Sequence, residues 1–353
     1  MDQTSENPRP HFVVTRLGLG IYDEKRLDKM IGLFEAVTLP SVTSQTSQDF
    51  HWLIVVDAAC PAACKARILD LISGHQNYHY VPIDLRSIYR VRLGCFDWVW
   101  DACESFIFAH GLVARPDQYA ITSILDADDA WNRETVEIVG RTAAEKWPDV
   151  SARGGNRGTW LRHSVGLTIT FLDGYVWFVS TQGIWPLKEE FRSMSVFVVA
   201  RLSSGISACS CRHTQWRKYS EILDFEVISL PTKVPMWIYS RHDEAVESWN
   251  AAQGMQMPAS FRERLESLFG IAWKKLDEWL QLYPPAARTT KQFNFSAAQQ
   301  YDLMFQIAAL NREIRALEDS LIGGSSADLT ARISEKQSER ERLIATLNAP
   351  NAG

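Results

Sequence analysis

No run of about 18 apolar residues occurs in the chain, so no transmembrane helix is expected, and any membrane association would be peripheral. Met1 to Pro10 is polar, carries two prolines and shows no basic-then-apolar order. It is expected to be a disordered N-terminus rather than a secretory leader. A basic excess is missing too: 37 Lys and Arg stand against 42 Asp and Glu, a formal charge of −5, with the basic residues scattered. A nucleic-acid partner is therefore not expected. Cysteines number only six. Cys60/Cys64 and Cys209/Cys211 could be combined into a zinc site, but their spacings match no common zinc motif. Reduced thiols in a cytoplasmic protein are the simpler expectation. A G-x-G-x-x-G fingerprint is absent; the two glycines of Arg16-Leu17-Gly18-Leu19-Gly20 suit a turn.

What is present can fill a large core. The 353 residues are 46% hydrophobic and include 13 tryptophans, enough for one large α/β domain with an appendage, or for two domains. His11 to Thr15 has the pattern of a first strand. Leu27, Met30, Ile31, Phe34 and Val37 share one helix face, and Pro40 ends that helix or sets the next turn. His51 to Asp57 is a second strand with an acidic tip, Cys64 to Ser73 a helix, Tyr80 to Ile83 a strand and Phe96 to His110 a helix. Such alternation implies parallel strands with right-handed crossovers.

From about Gly154 the pattern changes. Leu167 to Leu172 and Tyr175 to Val179 flank Asp173-Gly174, which predicts a hairpin. Ser195 to Ala200, Ile206 to Cys211 and Met236 to Tyr239 suggest further strands. This half is expected to be a mixed or antiparallel extension. Phe261 to Tyr283 has one continuous helical pattern that stops at Pro284-Pro285. Leu303, Ile307, Leu310, Ile314, Leu317 and Leu321 then form an a/d seam. After Gly323-Gly324-Ser325-Ser326 comes a weaker helix through Leu329, Ile333, Leu343 and Leu347, so an antiparallel hairpin or an oligomerisation arm is expected.

Chemistry concentrates in Tyr119 to Trp131. Tyr119-Ala120-Ile121-Thr122-Ser123-Ile124 is a short buried strand by pattern, and Asp126, Asp128 and Asp129 crowd its exit. Carboxylates that close repel unless a positive charge lies between them. Hard oxygen donors suit Mg²⁺ or Mn²⁺, and parallel sheets place ligands at the carboxyl ends of their strands. The plainer alternative is a solvated turn, or Asp129 capping the following helix.

Two blocks resemble a known family. Pro40-Ser41-Val42-Thr43-Ser44-Gln45-Thr46-Ser47-Gln48-Asp49-Phe50-His51-Trp52-Leu53-Ile54-Val55-Val56-Asp57 looks like the opening of family-two glycosyltransferases of the GT-A type. Leu125-Asp126-Ala127-Asp128-Asp129-Ala130-Trp131 resembles that family's "L-D-x-D-D-x-W" block, in the right order and separation. Val14-Thr15-Arg16, Cys211-Arg212-His213 and Pro235 to His242 look more like the bacterial rhamnosyltransferase branch. The resemblance covers roughly residues 11 to 250. Ala58 stands where the family usually has a second acid, which leaves the nucleotide open, and within those residues no glutamate–aspartate pair marks the base.

The resemblance implies a GT-A-like, mostly parallel α/β sheet with a mixed acceptor-side extension, followed by C-terminal helices. It implies transfer of a sugar, rhamnose among the candidates, from a nucleotide-diphosphate sugar to a glycan or small-molecule acceptor. Asp128 would be the direct metal ligand, and Asp126 would reach the ribose or a metal-bound water. Asp129 would support the site. Asp57, Thr15 and Arg16 would face the nucleotide. His213 would be a further metal ligand, and Arg241 with His242 would contact phosphate or metal. For the base, Asp173, Glu189, Glu190 and Asp243 lie in the acceptor half; Glu190 is carried forward, although Lys188-Glu189-Glu190-Phe191 fits a solvated helix start equally well. Trp160, Trp177, Trp185 and Trp216 are core residues by default and acceptor platforms otherwise.

The domains expected are residues 11–253 for the transferase, divided at 150/151 into nucleotide-binding and acceptor halves, 254–295 for a helical extension, and 296–353 for a coiled-coil-like tail through which copies could assemble. Two rivals stay open. One is a nucleotidyltransferase on a similar sheet; the other is a degenerate transferase domain kept as a scaffold by its tail.

Overall fold

In the computed structural model the described residues are 10–84, 97–115, 117–153, 165–242, 255–257, 259–284, 310, 314, 317 and 327–348. They fall into two compact units. The first comprises Met1–Gly174, Glu190–Ser240 and Pro258–Pro284; the second comprises Tyr175–Glu189, Arg241–Met257 and Pro285–Gly353.

The first unit opens with strand β1 (His11–Arg16), apolar and β-branched, followed by helix α1 (Glu24–Leu33). Asp23 caps α1 by accepting from the Arg26 N–H at 2.7 Å. Pro40 does not end this helix. A π-turn over Phe34–Thr38 leads directly into α2 (Leu39–Thr43), where Pro40 sits in the first turn and needs no N–H donor. Then come β2 (His51–Asp57), α3 (Ala62–Ile72), β3 (Tyr78–Ile83), α4 (Asp97–Ala109) and β4 (Tyr119–Ile124). A short β5 (Ala130–Trp131) and α5 (Thr135–Arg153) follow.

β6 (Leu167–Phe171) and β7 (Asp173–Phe178) are consecutive, yet they make no hairpin. Both sides of β6 are occupied, by β9 (below) antiparallel and by β10 (below) parallel. Asp173 and Gly174 therefore belong to β7 instead of forming a turn. Glycine is required there because a Cβ on Gly174 would come within 2.0 Å of the Trp237 indole. β8 (Gly183–Lys188) runs out into an irregular segment, so Glu189 and Glu190 start no helix. After β9 (Val196–Arg201), residues 206–211 form a loop rather than a strand. Its backbone is captured by serine hydroxyls: Ser210 Oγ accepts from the Ser207 N–H at 2.9 Å, and Ser207 Oγ accepts from the Cys209 N–H at 3.1 Å. α6 (Trp216–Leu223), β10 (Glu226–Leu230), β11 (Trp237–Arg241) and β12 (Met255–Gln256) complete the strand-bearing part.

The main sheet has seven strands in the order β10-β6-β9-β4-β1-β2-β3. β4, β1, β2 and β3 are mutually parallel; β9 runs antiparallel to β4 and β6. The acidic strand β4 is thus the middle one. One face buries Phe12, Val14, Leu53 and Val55 with Trp100 and Ile107 of α4 and Trp216 of α6. Cys103, Cys209 and Cys211 lie in this cluster, and all five described cysteines are free thiols.

The pattern over residues 261–283 is two helices, α7 (Ala259–Phe269) and α8 (Trp273–Leu282), not one. Gly270 at φ +72° breaks them, and a Cβ there would lie 2.7 Å from the Pro40 carbonyl oxygen. α8 packs on α1: Trp279 Nε1 donates to the Lys29 carbonyl at 2.7 Å, and the Ala272 N–H to the Ala36 carbonyl at 2.9 Å.

In the second unit β12 pairs antiparallel with β8. Leu310, Ile314 and Leu317 are helical, and α9 (Ala327–Asn348) is the long charged helix expected after the serine-glycine turn. Leu303, Ile307 and Leu321 of the seam lie outside the described residues, as do Cys95, Trp160 and Asp243. Among the described residues no helix is long and apolar enough to cross a membrane.

Candidate active site

The carboxyl ends of β1, β2 and β4 lie side by side. From β1 the chain proceeds through β2 to β3, then returns to β4 on the other side of β1. The loops after β1 and β4 therefore diverge, and a sheet opens a ligand crevice at such a reversal.

Arg16, the last residue of β1, and Asp126, just beyond β4, meet there. Arg16 Nη2 donates to Asp126 Oδ1 at 2.5 Å, across 110 residues of sequence. Burial alone would raise the Asp126 carboxyl. The Arg16 charge and hydrogen bond outweigh it, with smaller help from the charge of His213 and the hydroxyl of Ser193, and hold it below the usual carboxylate range. Burial works against the Arg16 charge, but Asp126, Cys209 and Asp128 together keep its guanidinium more firmly protonated than usual. The positive charge expected between the clustered acids is thus, in part, an arginine of the chain itself.

Thr15, expected at the nucleotide, turns its hydroxyl into the sheet. It donates to the Leu125 carbonyl at 2.7 Å and accepts from Trp52 Nε1 at 2.8 Å. It fixes the height of the acidic turn relative to β1. Asp129 is likewise drawn inside. It has no exposed surface, and its Oδ1 accepts from the Ser240 N–H at 2.8 Å. It ties β11 to the acidic turn. The start of α5 is held by Asn132, whose Oδ1 accepts from the Glu134 N–H at 3.1 Å. Asp128 stays half-buried between these two.

The Gln45-Thr46 pair explains why the two sequence blocks occur together. Gln45 Nε2 donates to the Asn132 carbonyl and Gln45 Oε1 accepts from the Val136 N–H, at 2.9 and 3.0 Å. The Thr46 N–H donates to the Arg133 carbonyl at 2.7 Å. Trp131 is buried and donates from Nε1 to the Met194 carbonyl at 2.6 Å. These residues clamp the acidic turn and the start of α5 onto the segment just after α2 and the short turn just before β9.

Asp57 ends β2 with its side chain already engaged. Oδ1 accepts from the Ala59 N–H at 2.9 Å and Oδ2 from the Tyr22 hydroxyl at 2.8 Å. Tyr22 is about half exposed, at 46%. Tyr22 and Ser193 are the site residues that sequence patterning missed, since neither belongs to a motif. Arg192, beside Ser193, is buried and stacks its guanidinium over Tyr239 at 5.0 Å from the ring centre.

His213 opens a short 3₁₀ turn after the serine loop, half-buried and within electrostatic reach of Asp126. Glu190 is bound elsewhere: it pairs with Arg217 and accepts from Ser229 Oγ at 2.8 Å. Arg241 is buried at the end of β11, in the second unit. Trp177, Trp185 and Trp216 are buried, so they pack rather than present a face to a sugar.

Among the described residues no group of three or more His, Cys, Asp or Glu side chains is gathered as a protein-built metal cage requires. Two carboxylates on one turn, Asp126 and Asp128, suit a different mode. Magnesium-like ions are commonly held by one or two carboxylates with the remaining ligands from substrate phosphate and water. The donor set fits an ion that arrives with a diphosphate.

A family described as "Putative rhamnosyl transferase" matches residues 19–254. No curated protein matches the chain. Among solved structures, the S. aureus TarS fragment 1-349 in complex with UDP is 12% identical, with 96% of this chain and 90% of that one covered and a TM-score of 0.33. A protein from Desulfovibrio desulfuricans G20 described as a "putative nucleotide-diphospho-sugar transferase" is 10% identical, covering 78% of this chain and 99% of that one, with a TM-score of 0.34.

Proposed function

The chain belongs to the family described as "Putative rhamnosyl transferase" and is a glycosyltransferase; from that premise we propose that it moves a sugar from a nucleotide-diphosphate donor to a glycan or small-molecule acceptor, in a GT-A-like crevice at the tips of β1, β2 and β4. The observation that carries this is the meeting of Arg16 and Asp126 at the strand reversal, with Asp128 on the same turn and Asp57 at the tip of the next parallel strand. Cleaving a sugar–diphosphate bond leaves negative charge on the diphosphate, and cationic groups fixed in advance at that point lower the barrier.

In this proposal Asp57 and Tyr22 flank the base and ribose. Arg16 faces phosphate oxygens, for which a guanidinium is well shaped; for Arg241, in the second unit, a phosphate contact is proposed on the resemblance alone. Asp128 and Asp126 would hold Mg²⁺ or Mn²⁺, with His213 as a further donor; the ion, when bound, supplies positive charge to the leaving diphosphate. Asp129 and Thr15 act indirectly, by holding the acidic turn at the right height. Glu190 is proposed as the base. It would first have to exchange its contact with Arg217 for the acceptor hydroxyl.

The C-terminal helices are proposed to join copies of the chain, and the protein is proposed to work in the cytoplasm. Deleting residues 300–353 should then change the elution volume in size exclusion while leaving transfer in place; an unchanged volume counts against the arm.

The function is tested by thermal shift with nucleotide sugars and nucleoside diphosphates, with and without Mn²⁺. Stabilisation by a diphosphate sugar and its enhancement by Mn²⁺ are expected. Stabilisation by nucleoside triphosphates alone would point to nucleotidyl transfer, and silence toward every nucleotide would point to a scaffold.

A further inference from the structure

The acid nearest the strand reversal is already taken. Asp126 gives Oδ1 to Arg16 at 2.5 Å and accepts a further hydrogen bond from Ser193. Arg16 and Asp126 keep only 20% and 26% of their side-chain surface exposed, so water screens the pair weakly. A divalent ion approaching Asp126 meets a fixed positive charge, and separating Arg16 from Asp126 would break a largely buried ion pair. A diphosphate resolves that conflict. It offers the guanidinium two or more oxygens in the geometry Arg prefers, and it brings further oxygens for the metal.

On the footing of the function proposed above, we infer that Arg16 is a coupling residue: it occupies Asp126 in the free protein, transfers to the donor's diphosphate when the donor binds, and thereby releases Asp126 to the metal. Metal affinity is then low without nucleotide and rises with it, and by reciprocity the metal tightens the nucleotide by the same factor. The arrangement favours an ordered entry in which the metal does not occupy the site ahead of the donor. Asp128, on the same turn and within electrostatic reach of Arg16, feels the same exchange. Thr15 and Leu125 keep the two strand tips in register, so that the exchange moves side chains and not the sheet.

The test is Mn²⁺ binding by the full chain, followed by the electron paramagnetic resonance of free Mn²⁺, alone and with UDP, dTDP or GDP. For the unaltered protein the effective nucleotide should tighten Mn²⁺ by about tenfold or more. Arg16→Met should tighten Mn²⁺ in the absence of nucleotide by roughly tenfold and reduce the nucleotide's gain to less than about threefold. Arg16→Lys, which keeps the charge but loses the planar fork, should tighten Mn²⁺ alone by about threefold and serves if the methionine variant does not fold. Variants that bind Mn²⁺ alone as the unaltered protein does would overturn the exchange. Asp128→Ala separates the two levels of the proposal. If it binds Mn²⁺ with nucleotide as tightly as the unaltered protein, the metal–diphosphate function itself fails; if it loses that binding while both Arg16 variants behave normally, only the coupling fails.

Discussion

The two ends of the same parallel strands carry opposite chemistry. At the carboxyl ends sit Arg16, Asp57 and, just beyond β4, Asp126, charged groups held by one another and by neighbouring donors. At the amino ends sit His11, His51 and, one residue into β3, His79. His11 Nε2 lies 3.0 Å from Ser123 Oγ, and His51 Nδ1 lies 3.1 Å from His79 Nε2. Burial pushes His11 down to about 3 and, with the charges of His51 and His110, His79 down to about 4, and it lowers His51 as well, so these three imidazoles are neutral at pH 7. Strand polarity explains the division. Helices α1 and α3 begin after the carboxyl ends of β1 and β2, where their free N–H groups favour anions. Helices end at the other edge, where His110 Nδ1 lies 2.9 Å from the Phe106 carbonyl in the last turn of α4. One edge carries ion-paired and hydrogen-bonded charges; the other carries stacked aromatic and imidazole rings, as in Phe106 with His110 at 3.8 Å.

The sharpest way to break this contrast is Asp128→Ala. Loss of an acid that organises the leaving diphosphate is expected to lower transfer by about a hundredfold or more, while thermal stability stays within a few degrees, because Asp128 is half-buried and the turn is clamped by its neighbours. Metal-dependent transfer at the original rate would remove the carboxyl edge from the chemistry altogether.

Gln45→Ala should do the reverse, costing stability more than chemistry. It deletes two buried bonds that join α2 to the acidic turn and leaves the Val136 N–H and the Asn132 carbonyl without these partners. A loss of about 2–3 kcal/mol is expected by chemical denaturation. A midpoint unchanged from the parent would mean that the clamp is not what holds the turn.

How far the two edges were legible beforehand follows the same geometry. The parallel half and the acidic turn were readable because their signals are local: β-branched runs, helical spacing, three acids within four positions. Family membership followed from blocks whose spacing survives in one dimension. The Arg16–Asp126 pair was not readable, since 110 residues separate its partners and only the crossover topology brings them together. Asp173-Gly174 misled for a related reason: its turn propensity is local, but β6 already has neighbours on both sides and Trp237 claims the space beside Gly174. Residues 206–211 alternate like a strand, yet Ser207 and Ser210 bond the backbone into a loop. Helical periodicity over 261–283 concealed a break that Gly270 announces once its positive φ is known. Tyr22 on Asp57 and Ser193 on Asp126 had no pattern to reveal them.

The amino edge offers the finest discrimination through pH. His79 is neutral in the folded chain down to about 4, but takes a proton near its ordinary 6.5 once unfolded. Between those values the unfolded chain binds more protons, so the stability that His79 contributes is complete above about 6.5 and is lost as pH falls toward about 4. His11 acts in the same direction over a window reaching to about 3. Asp49 opposes the effect at His51, where its charge favours protonation. Replacing His79 by phenylalanine keeps a ring beside Phe106 and His51 but removes the titration. Melting temperature measured from pH 7.5 to 4.5 should therefore fall less steeply in His79→Phe than in the parent, without becoming flat, because His11 remains. At pH 7.5 the variant should lose only about 1 kcal/mol, the worth of its bond to His51. Transfer at neutral pH should be unchanged, since the carboxyl tips are reached through the length of β2 and β3 and none of their partners is altered. A pH slope identical to the parent's would show that His79 is solvated and charged in the folded chain.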